Sequence, residues 1–189
     1  GLDRIKWYVA DRQGDKLLLV STEAVDGHYY NDQIDGPNNW ENAALRSLLN
    51  QVYMDSINQY EKELVLLTTV ETKGNPQYGT ADGTVTQDYM FILSAEEVEL
   101  YFPNAEDRKL KPTPAAVFEG ININISSGYN YETRDGNCWW WVRTPGADER
   151  KVSFVNEEGV IEYEGRYCTI SSGGIRPAMW VTCVEPTEE

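Results

Sequence analysis

The sequence predicts an α+β domain with mostly antiparallel sheets. Three observations support this class: residues 4–12 and 15–22 alternate like paired strands, residues 40–54 carry apolar side chains at helical spacing, and the last third is rich in β-branched and aromatic residues. The 189 residues suit one domain that covers the whole chain. We therefore expect terminal strands that lie near each other, with two to four short helices between them.

The first two strands form a predicted hairpin, because Gln13-Gly14 between them is typical of a tight turn. Residues 26–39 are rich in Asp, Asn, Gly and Tyr and predict a loop. In the helix that follows, Asn38 or Asn39 can cap the start. Its apolar face is formed by Leu45, Leu48, Leu49 and Val52.

The middle of the chain mixes short elements with one long loop. Residues 58–63 predict a helical turn, and residues 64–70 and 89–93 predict strands. The stretch 72–87 is rich in Gly, Thr and Asp and predicts a surface loop.

Two later helices begin at recognisable caps. Ser94 with Glu97 three residues later is a capping box, and Thr113-Pro114 places proline at the first helical position. Residues 121–137 are polar and predict a loop.

The last third predicts strands only. Residues 138–143 form one strand, and residues 151–155 and 160–164 form a hairpin around a turn that contains Gly159. Residues 174–184 predict a terminal strand that closes a sheet with the first hairpin.

The charge of the chain bounds its partners. Lys and Arg total 16 against 31 Asp and Glu, so the formal net charge is −15. A field of this sign repels phosphate backbones and anionic lipids, which argues against nucleic acid and membrane surfaces as partners. Membrane insertion is not expected either, because no apolar run approaches the ~20 residues of a membrane helix. Cations, neutral sugars and basic surfaces remain, and solubility alone is the alternative reason for the charge.

The cysteines and the single histidine predict neither a zinc site nor a nucleophile–base pair. Cys138, Cys168 and Cys183 lie in apolar strand patterns without a C-x-x-C spacing, and His28 lies in a loop. Buried free thiols are the first interpretation, and a bridge between Cys168 and Cys183 is the alternative.

Calcium is the one cofactor for which the loops offer candidate ligands. Asp82, Asp88, Asp135 and Asp148 lie in or beside loops, where they either join in an irregular calcium site or are solvated separately. No catalytic residues and no other cofactor or metal are predicted.

Three motifs have the composition of a structural core. The first contains Trp40, Glu41, Arg46 and Asn50, the second runs over residues 139–146, and the third over residues 173–180. Alternation along a strand places Trp139 and Trp141 on one face and Trp140 on the other.

Two arginines lie within these motifs. If Arg143 and Arg176 are buried and paired, we expect either substitution to alanine to cost a few kcal/mol. Glu41 and Asp88 are the candidate partners of Arg176, because an unpaired buried charge is costly. Trp180 ends the third motif.

The order of these motifs resembles a bacterial domain family of unknown function, whose members carry W-W-L-R-S-P-G and G-V-R-P-A-L-W and often occur in secreted or surface proteins. The corresponding stretches here are residues 40–50 (W-E-x-x-x-L-R-x-x-L-N), 86–94 (T-x-D-x-x-F-x-L-S), 112–116 (P-T-x-x-A), 140–146 (W-W-x-R-x-P-G) and 174–180 (G-x-R-P-A-x-W). That family is in turn similar to formylglycine-generating-enzyme and C-type-lectin-like folds.

The resemblance implies a C-type-lectin-like domain. The enzyme branch uses a cysteine pair just before its terminal arginine motif, whereas Cys168 stands alone there, so oxidase chemistry is not expected. In lectin-like relatives the segment between the two strand motifs, here residues 147–172, often carries ligand contacts. The implied contacts are Asp148, Arg150, Asn156, Glu158, Tyr163, Arg166 and Tyr167, with solvated hairpin residues as the alternative.

These observations together predict an extracellular or cell-surface binding module within a larger protein, with any signal segment outside this sequence. Its ligand is expected to be a glycan, a peptide or a protein surface. One alternative is a carboxylate- or calcium-dependent enzyme that acts on a carbohydrate. The other is a structural spacer in a larger surface protein.

Overall fold

The computed structural model describes residues 5–36, 38–121 and 136–183. The strands in this part of the chain are β1 (Trp7–Gln13), β2 (Lys16–Ser21), β3 (Asp26–His28), β4 (Thr68–Val70), β5 (Thr86–Asp88), β6 (Phe91–Ile92), β7 (Trp140–Pro145), β8 (Lys151–Val155), β9 (Ile161–Tyr167), β10 (Gly173–Ile175) and β11 (Pro177–Thr182). The α-helices are α1 (Ala44–Ser47), α2 (Met54–Ser56), α3 (Gln59–Lys62), α4 (Ala95–Tyr101), α5 (Ala105–Arg108) and α6 (Pro114–Phe118). The predicted α+β class with mostly antiparallel sheets is confirmed, but the described residues contain six short α-helices where two to four were expected.

The first hairpin and the last strand share a four-stranded antiparallel sheet of order β1-β2-β11-β6. Trp7 lies opposite Ser21 in the hairpin, and Ala178 of β11 lies opposite Val20 of β2. Strands from the two ends of the described chain therefore meet side by side, as the sequence predicted.

A second sheet has the order β3-β10-β7-β8-β9 and contains one parallel pair, β10 with β7. Trp139, Trp140 and Trp141 are all buried, so apolar groups cover both sides of the chain at the start of β7. The strand β3 lies within the predicted loop 26–39, where it pairs with β10. The loop prediction was therefore wrong for these residues, because the pairing partner is distant in sequence.

The predicted terminal strand 174–184 is divided between the two sheets. β10 belongs to the five-stranded sheet and β11 to the four-stranded sheet, and only Arg176 separates them. The remaining strands, β4 and β5, form a small antiparallel sheet of their own.

The helix predicted over residues 40–54 is divided into several short pieces. A 3-10 turn (Trp40–Asn42) precedes α1, and a π-helical stretch (Leu48–Tyr53) separates α1 from α2. Leu49 and Met54 are buried five residues apart, as the wider π turn requires, while Val52 is 58% exposed. Val52 therefore does not belong to the buried face, contrary to the helical-spacing prediction.

The two later helices begin as predicted. Ser94 Oγ accepts a hydrogen bond from the Glu97 amide at 3.1 Å, and Glu97 Oε2 accepts one from the Ser94 amide at 2.9 Å. Thr113 Oγ1 accepts from the Ala116 amide at 3.1 Å and so caps α6. Most of the predicted loop 121–137 lies outside the described residues.

All three cysteines are free: Cys138 and Cys168 are buried and Cys183 is half-buried. The bridge between Cys168 and Cys183 is therefore absent, and the interpretation as buried thiols is correct for the first two. No helix of the described chain combines the length and hydropathy that a membrane crossing needs.

Candidate functional site

A buried carboxylate joins the first motif to β5. Asp88 is fully buried, and its oxygens accept hydrogen bonds from Trp40 Nε1 at 2.9 Å, Thr86 Oγ1 at 2.6 Å and Arg46 Nε at 2.6 Å. Three donors compensate the charge, so Asp88 fastens the helical segment to the small sheet.

Asn50 extends this attachment by one turn. Its Nδ2 donates to the carbonyls of Arg46 at 3.0 Å and Met90 at 2.8 Å, and its Oδ1 accepts from the Tyr89 amide at 2.7 Å. The polar residues of this motif therefore connect the helical segment to β5 and to the residues that follow it.

Arg143 is the buried cation of β7. Its Nη2 donates to Glu97 Oε1 at 2.7 Å and to the Glu71 carbonyl at 2.9 Å, and its Nη1 donates to Glu97 Oε2 and to the Ile92 carbonyl at 2.8 Å. One side chain thus joins β7 to α4, to β6 and to the segment after β4.

Arg176 has neither of its predicted partners, since no contact joins it to Glu41 or Asp88 in the part of the chain that the structure describes. Its guanidinium lies 4.2 Å from the centre of the Phe102 ring and 5.0 Å from the Trp140 ring, and its Nε donates to the Ser21 carbonyl at 3.0 Å. Burial lowers the pKa of Arg176 to about 10. Two aromatic faces stabilise this cation where a carboxylate was expected.

Trp140 belongs to the buried core, and Trp180 packs against that core. Trp140 Nε1 donates to the Arg108 carbonyl at 3.0 Å, which attaches β7 to the end of α5. Trp180 is half-buried on β11, and its carbonyl accepts a hydrogen bond from the Leu66 amide at 2.8 Å.

The concave feature that contains predicted contact residues is a cleft of about 620 Å³. One wall consists of residues 80–82 of the long loop, and a second wall consists of residues 148–151, which follow β7 and lead into the start of β8. The residues that line the cleft are Asn38, Asn39, Thr80, Ala81, Asp82, Pro145, Asp148, Glu149, Arg150 and Lys151. We call this feature the cleft, with an 80–82 wall and a 148–151 wall.

Asn75 and Gly74 hold the 80–82 wall in place. Asn75 is buried, and its Nδ2 donates to the carbonyls of Pro145 and Tyr163, each at 2.8 Å. The Asn75 amide also donates to Thr80 Oγ1 at 2.7 Å. A Cβ at Gly74 would lie only 1.9 Å from the Thr80 carbonyl oxygen, so the tight return of this loop requires glycine.

The 148–151 wall is a tight turn that closes on Gly146. The Gly146 amide donates to the Lys151 carbonyl at 2.9 Å, and Asp148 Oδ1 accepts from the Arg150 amide at 2.9 Å. A Cβ at Gly146 would lie 2.6 Å from Lys151 Cβ, which explains why the chain carries glycine there.

Asn38 and Asn39 complete the lining of the cleft, and neither side chain caps the helical segment as predicted. Asn38 is buried and donates to the Glu149 carbonyl. Asn39 Nδ2 donates to Glu41 Oε1 at 2.8 Å. Burial alone would raise the pKa of Glu41, but hydrogen bonding with Asn39, Thr84 and its own backbone outweighs burial and lowers the pKa below its ordinary value. A charged carboxylate therefore lies behind Asn39 at neutral pH.

The structure separates the seven predicted contacts. Asp148 and Arg150 line the cleft, and Tyr167 lies beside it, with its ring 5.9 Å from the Arg150 guanidinium. Asn156 and Glu158 lie in the β8–β9 turn, where Asn156 Oδ1 accepts from the Glu158 amide. The structure does not place these two residues in the cleft lining.

The other two predicted contacts are engaged with the core. Tyr163 donates its hydroxyl to Glu99 at 3.2 Å. Arg166 lies 4.5 Å from the ring centres of both Trp139 and Phe154, and burial lowers its pKa. Sequence reasoning missed six lining residues: Asn38, Asn39, Thr80, Ala81, Glu149 and Lys151.

The aspartates considered for calcium are also dispersed. Asp82 lies in the 80–82 wall of the cleft and Asp148 in the 148–151 wall, Asp88 is enclosed by its three donors, and Asp135 lies outside the described residues. Across residues 5–36, 38–121 and 136–183, no three His, Cys, Asp or Glu side chains gather as a metal-binding group.

A second concavity of about 470 Å³ lies between residues 22–23, residues 106–111 and Asn137. It is smaller and more open than the cleft, and Lys109 on its rim pairs with Glu106 at 2.6 Å. None of the predicted contacts lines it, so the cleft is the better candidate site.

Comparison with known proteins identifies a family. The chain matches the family described as "Domain of unknown function (DUF6273)" over residues 14–183. No curated protein and no solved structure matches the chain significantly. The matched residues include both walls of the cleft and the three structural motifs. The chain therefore belongs to the DUF6273 family of domains of unknown function.

Proposed function

We propose that this domain is a ligand-binding module and that the cleft is its binding site. The observation that carries the proposal is a cleft of about 620 Å³, whose 80–82 wall is anchored by the buried Asn75 and whose 148–151 wall closes on the buried Gly146. Ligand sites in proteins usually measure about 300–1,000 Å³. Its lining combines amide, hydroxyl, carboxylate and guanidinium groups, which suits a polar ligand.

Preorganisation of the walls supports binding. Asn75 anchors the 80–82 wall, and Gly146 permits the close turn of the 148–151 wall. Because both walls are fixed without a ligand, binding loses little additional conformational entropy. Such a site favours recognition by shape and hydrogen bonding.

The setting that we propose is an extracytoplasmic one. The motif resemblance supports a C-type-lectin-like fold in a bacterial secreted or surface protein, and the side-by-side terminal strands are compatible with it. Asp148 and Arg150 lie between the two strand motifs, the segment that carries ligand contacts in lectin-like relatives. A glycan, a peptide or a protein surface is the proposed ligand.

One observation favours an enzyme as the second candidate. Asp82 and Asp148 both line one cleft, and enzymes that cleave carbohydrates use a pair of carboxylates in one cleft. Hydrolysis of chromogenic glycosides that is lost in both Asp82→Asn and Asp148→Asn would support this candidate. Hydrolysis that persists in both variants would exclude the pair.

A screen against glycan and peptide arrays tests the binding function. Ala81 is exposed and lines the cleft, so Ala81→Trp should obstruct it. Ala115 is exposed on α6 and is not among the cleft-lining residues, so Ala115→Trp is the matched control. We expect binding that Ala81→Trp abolishes and Ala115→Trp preserves. Ligands that bind both variants equally would contradict the assignment of the cleft.

A further inference from the structure

The charges on the two walls of the cleft are not balanced. Lys151 pairs with Glu164 at 2.7 Å and is thereby neutralised. Arg150 Nε lies 3.7 Å from Asp148 Oδ1. The Glu149 carboxylate has no ion pair within the described chain. The 148–151 wall and its partner Glu164 therefore carry a surplus of negative charge.

The 80–82 wall also carries a surplus of negative charge. Lys73 Nζ lies 3.9 Å from Asp82 Oδ2 and 3.7 Å from Glu71 Oε2, so one ammonium group is shared by two carboxylates. Glu41 adds a further carboxylate behind Asn39. The walls and their partners thus present more carboxylates than basic groups, and they lie within a protein of net charge −15.

The remaining groups of the cleft match a peptide backbone. Thr80 Oγ1 accepts a hydrogen bond from the Asn75 amide, and its own hydroxyl proton can be donated to a ligand. Asn39 Nδ2 donates to Glu41, and the Asn39 side-chain oxygen can accept a hydrogen bond from a ligand. A carbonyl and an amide N–H of an extended chain are the complements of these two groups. Arg150, whose side chain is more than half exposed, can donate a hydrogen bond to a further backbone carbonyl.

We infer that the cleft takes a basic peptide segment, with a lysine or arginine side chain held between Asp82 and the Asp148–Glu149 part of the 148–151 wall. This inference rests on the proposed function, because it names the ligand class of the same cleft. Opposite charge accelerates association and fixes orientation, while the amide groups contribute specificity.

Titration calorimetry with short, terminally blocked peptides tests the inference. The peptides are identical except for lysine, glutamine or glutamate at the same positions. We expect the lysine peptide to bind about tenfold or more tightly than the glutamine peptide, the glutamate peptide not to bind, and added salt to weaken binding. Equal affinities for the lysine and glutamine peptides would overturn the inference.

Charge-neutral variants locate the effect. Asp82→Asn retains an acceptor for the Gly74 amide, which now donates to Asp82 Oδ1 at 2.7 Å, so the wall should keep its shape. Asp82→Asn and Glu149→Gln should each weaken the lysine peptide about three- to tenfold. Asp15→Asn, an exposed position in the β1–β2 turn, is the control for the overall field and should have little effect. Equal losses in all three variants would overturn the inference.

Two further outcomes separate the inference from the proposed function. If a neutral or acidic ligand, or an amino-sugar oligomer, binds in place of the lysine peptide and is blocked by Ala81→Trp, the binding module stands and the inference fails. If Ala81→Trp changes the binding of no ligand, both the proposed function and the inference fail.

Discussion

The ion pair between Arg143 and Glu97 should be a major contributor to stability. The Arg143 side chain is 4% exposed, and replacing it with methionine leaves the Ile92 carbonyl and both Glu97 oxygens without their shared donor. Breaking a buried pair costs about 3–5 kcal/mol. Because the Glu97 side chain is 30% exposed and regains some hydration, we expect a loss near the lower limit, about 3 kcal/mol, for Arg143→Met.

Equilibrium unfolding in urea measures this loss as a shift of the midpoint at constant slope. Glu97→Gln and the double variant complete a cycle, in which the double variant should lose less than the sum of the single variants. Arg176→Met is the matched control, since Arg176 is equally buried but has no carboxylate partner and methionine can still pack between Phe102 and Trp140. A cost below about 1 kcal/mol for Arg143→Met, or an equal cost for Arg176→Met, would refute the reasoning.

Three other perturbations have clear expected outcomes. Asp88→Ala leaves three buried or half-buried donors without their acceptor and should lower the free energy of unfolding by about 3 kcal/mol or more in urea titrations. Gly146→Ala forces Cβ against Lys151, so we expect about 1–3 kcal/mol of destabilisation together with amide chemical-shift changes concentrated in the 148–151 wall. Glu41 has a folded pKa below its unfolded value, so its stabilising contribution is present above the unfolded pKa of about 4.3 and is lost as the pH falls through the folded pKa. Glu41→Gln should therefore lower Tm at neutral pH and have little effect in acid, and an equal loss at both pH values would contradict this.

Local signals predicted the parts of the fold that depend on neighbouring residues. The Ser94–Glu97 capping box and the Thr113 cap form as expected, because their hydrogen bonds close over three residues. The first hairpin forms for the same reason, since its turn lies between its two strands. The prediction of a lectin-like fold remains a proposal.

Features that depend on distant residues were not predictable from the same patterns. The helical-spacing rule assigns Val52 to the buried face, but a π turn rotates it outward. The rule that a buried charge needs an opposite charge assigned Arg176 to Glu41 or Asp88. The packing of Phe102 and Trp140 against its guanidinium depends on elements that meet only in the folded chain.

The cleft was predicted in part. Asp148 and Arg150 lie where the segment between the strand motifs was expected to contact a ligand, whereas Arg166 stacks on the core. Asn38 and Asn39 share their composition with the rest of their loop, so nothing in the pattern distinguishes them as lining residues. Their role follows from a hydrogen bond from Asn38 to Glu149, which is 111 positions away.

The division of β10 and β11 between two sheets has a consequence for how the chain acquires its structure. β2 of the N-terminal hairpin pairs with β11, and β3 and β7 both pair with β10. Both sheets therefore remain incomplete until residues 173–182 are available. Strands that are far apart in sequence pair slowly, because the chain between them must form a closed loop before the contacts between the strands can stabilise it. Synthesis from the N-terminus therefore leaves a nascent chain with open strand edges until residues 173–182 emerge. A truncation before residue 173 should consequently abolish the cooperative folding of both sheets, whereas removal of an edge strand would affect one sheet only.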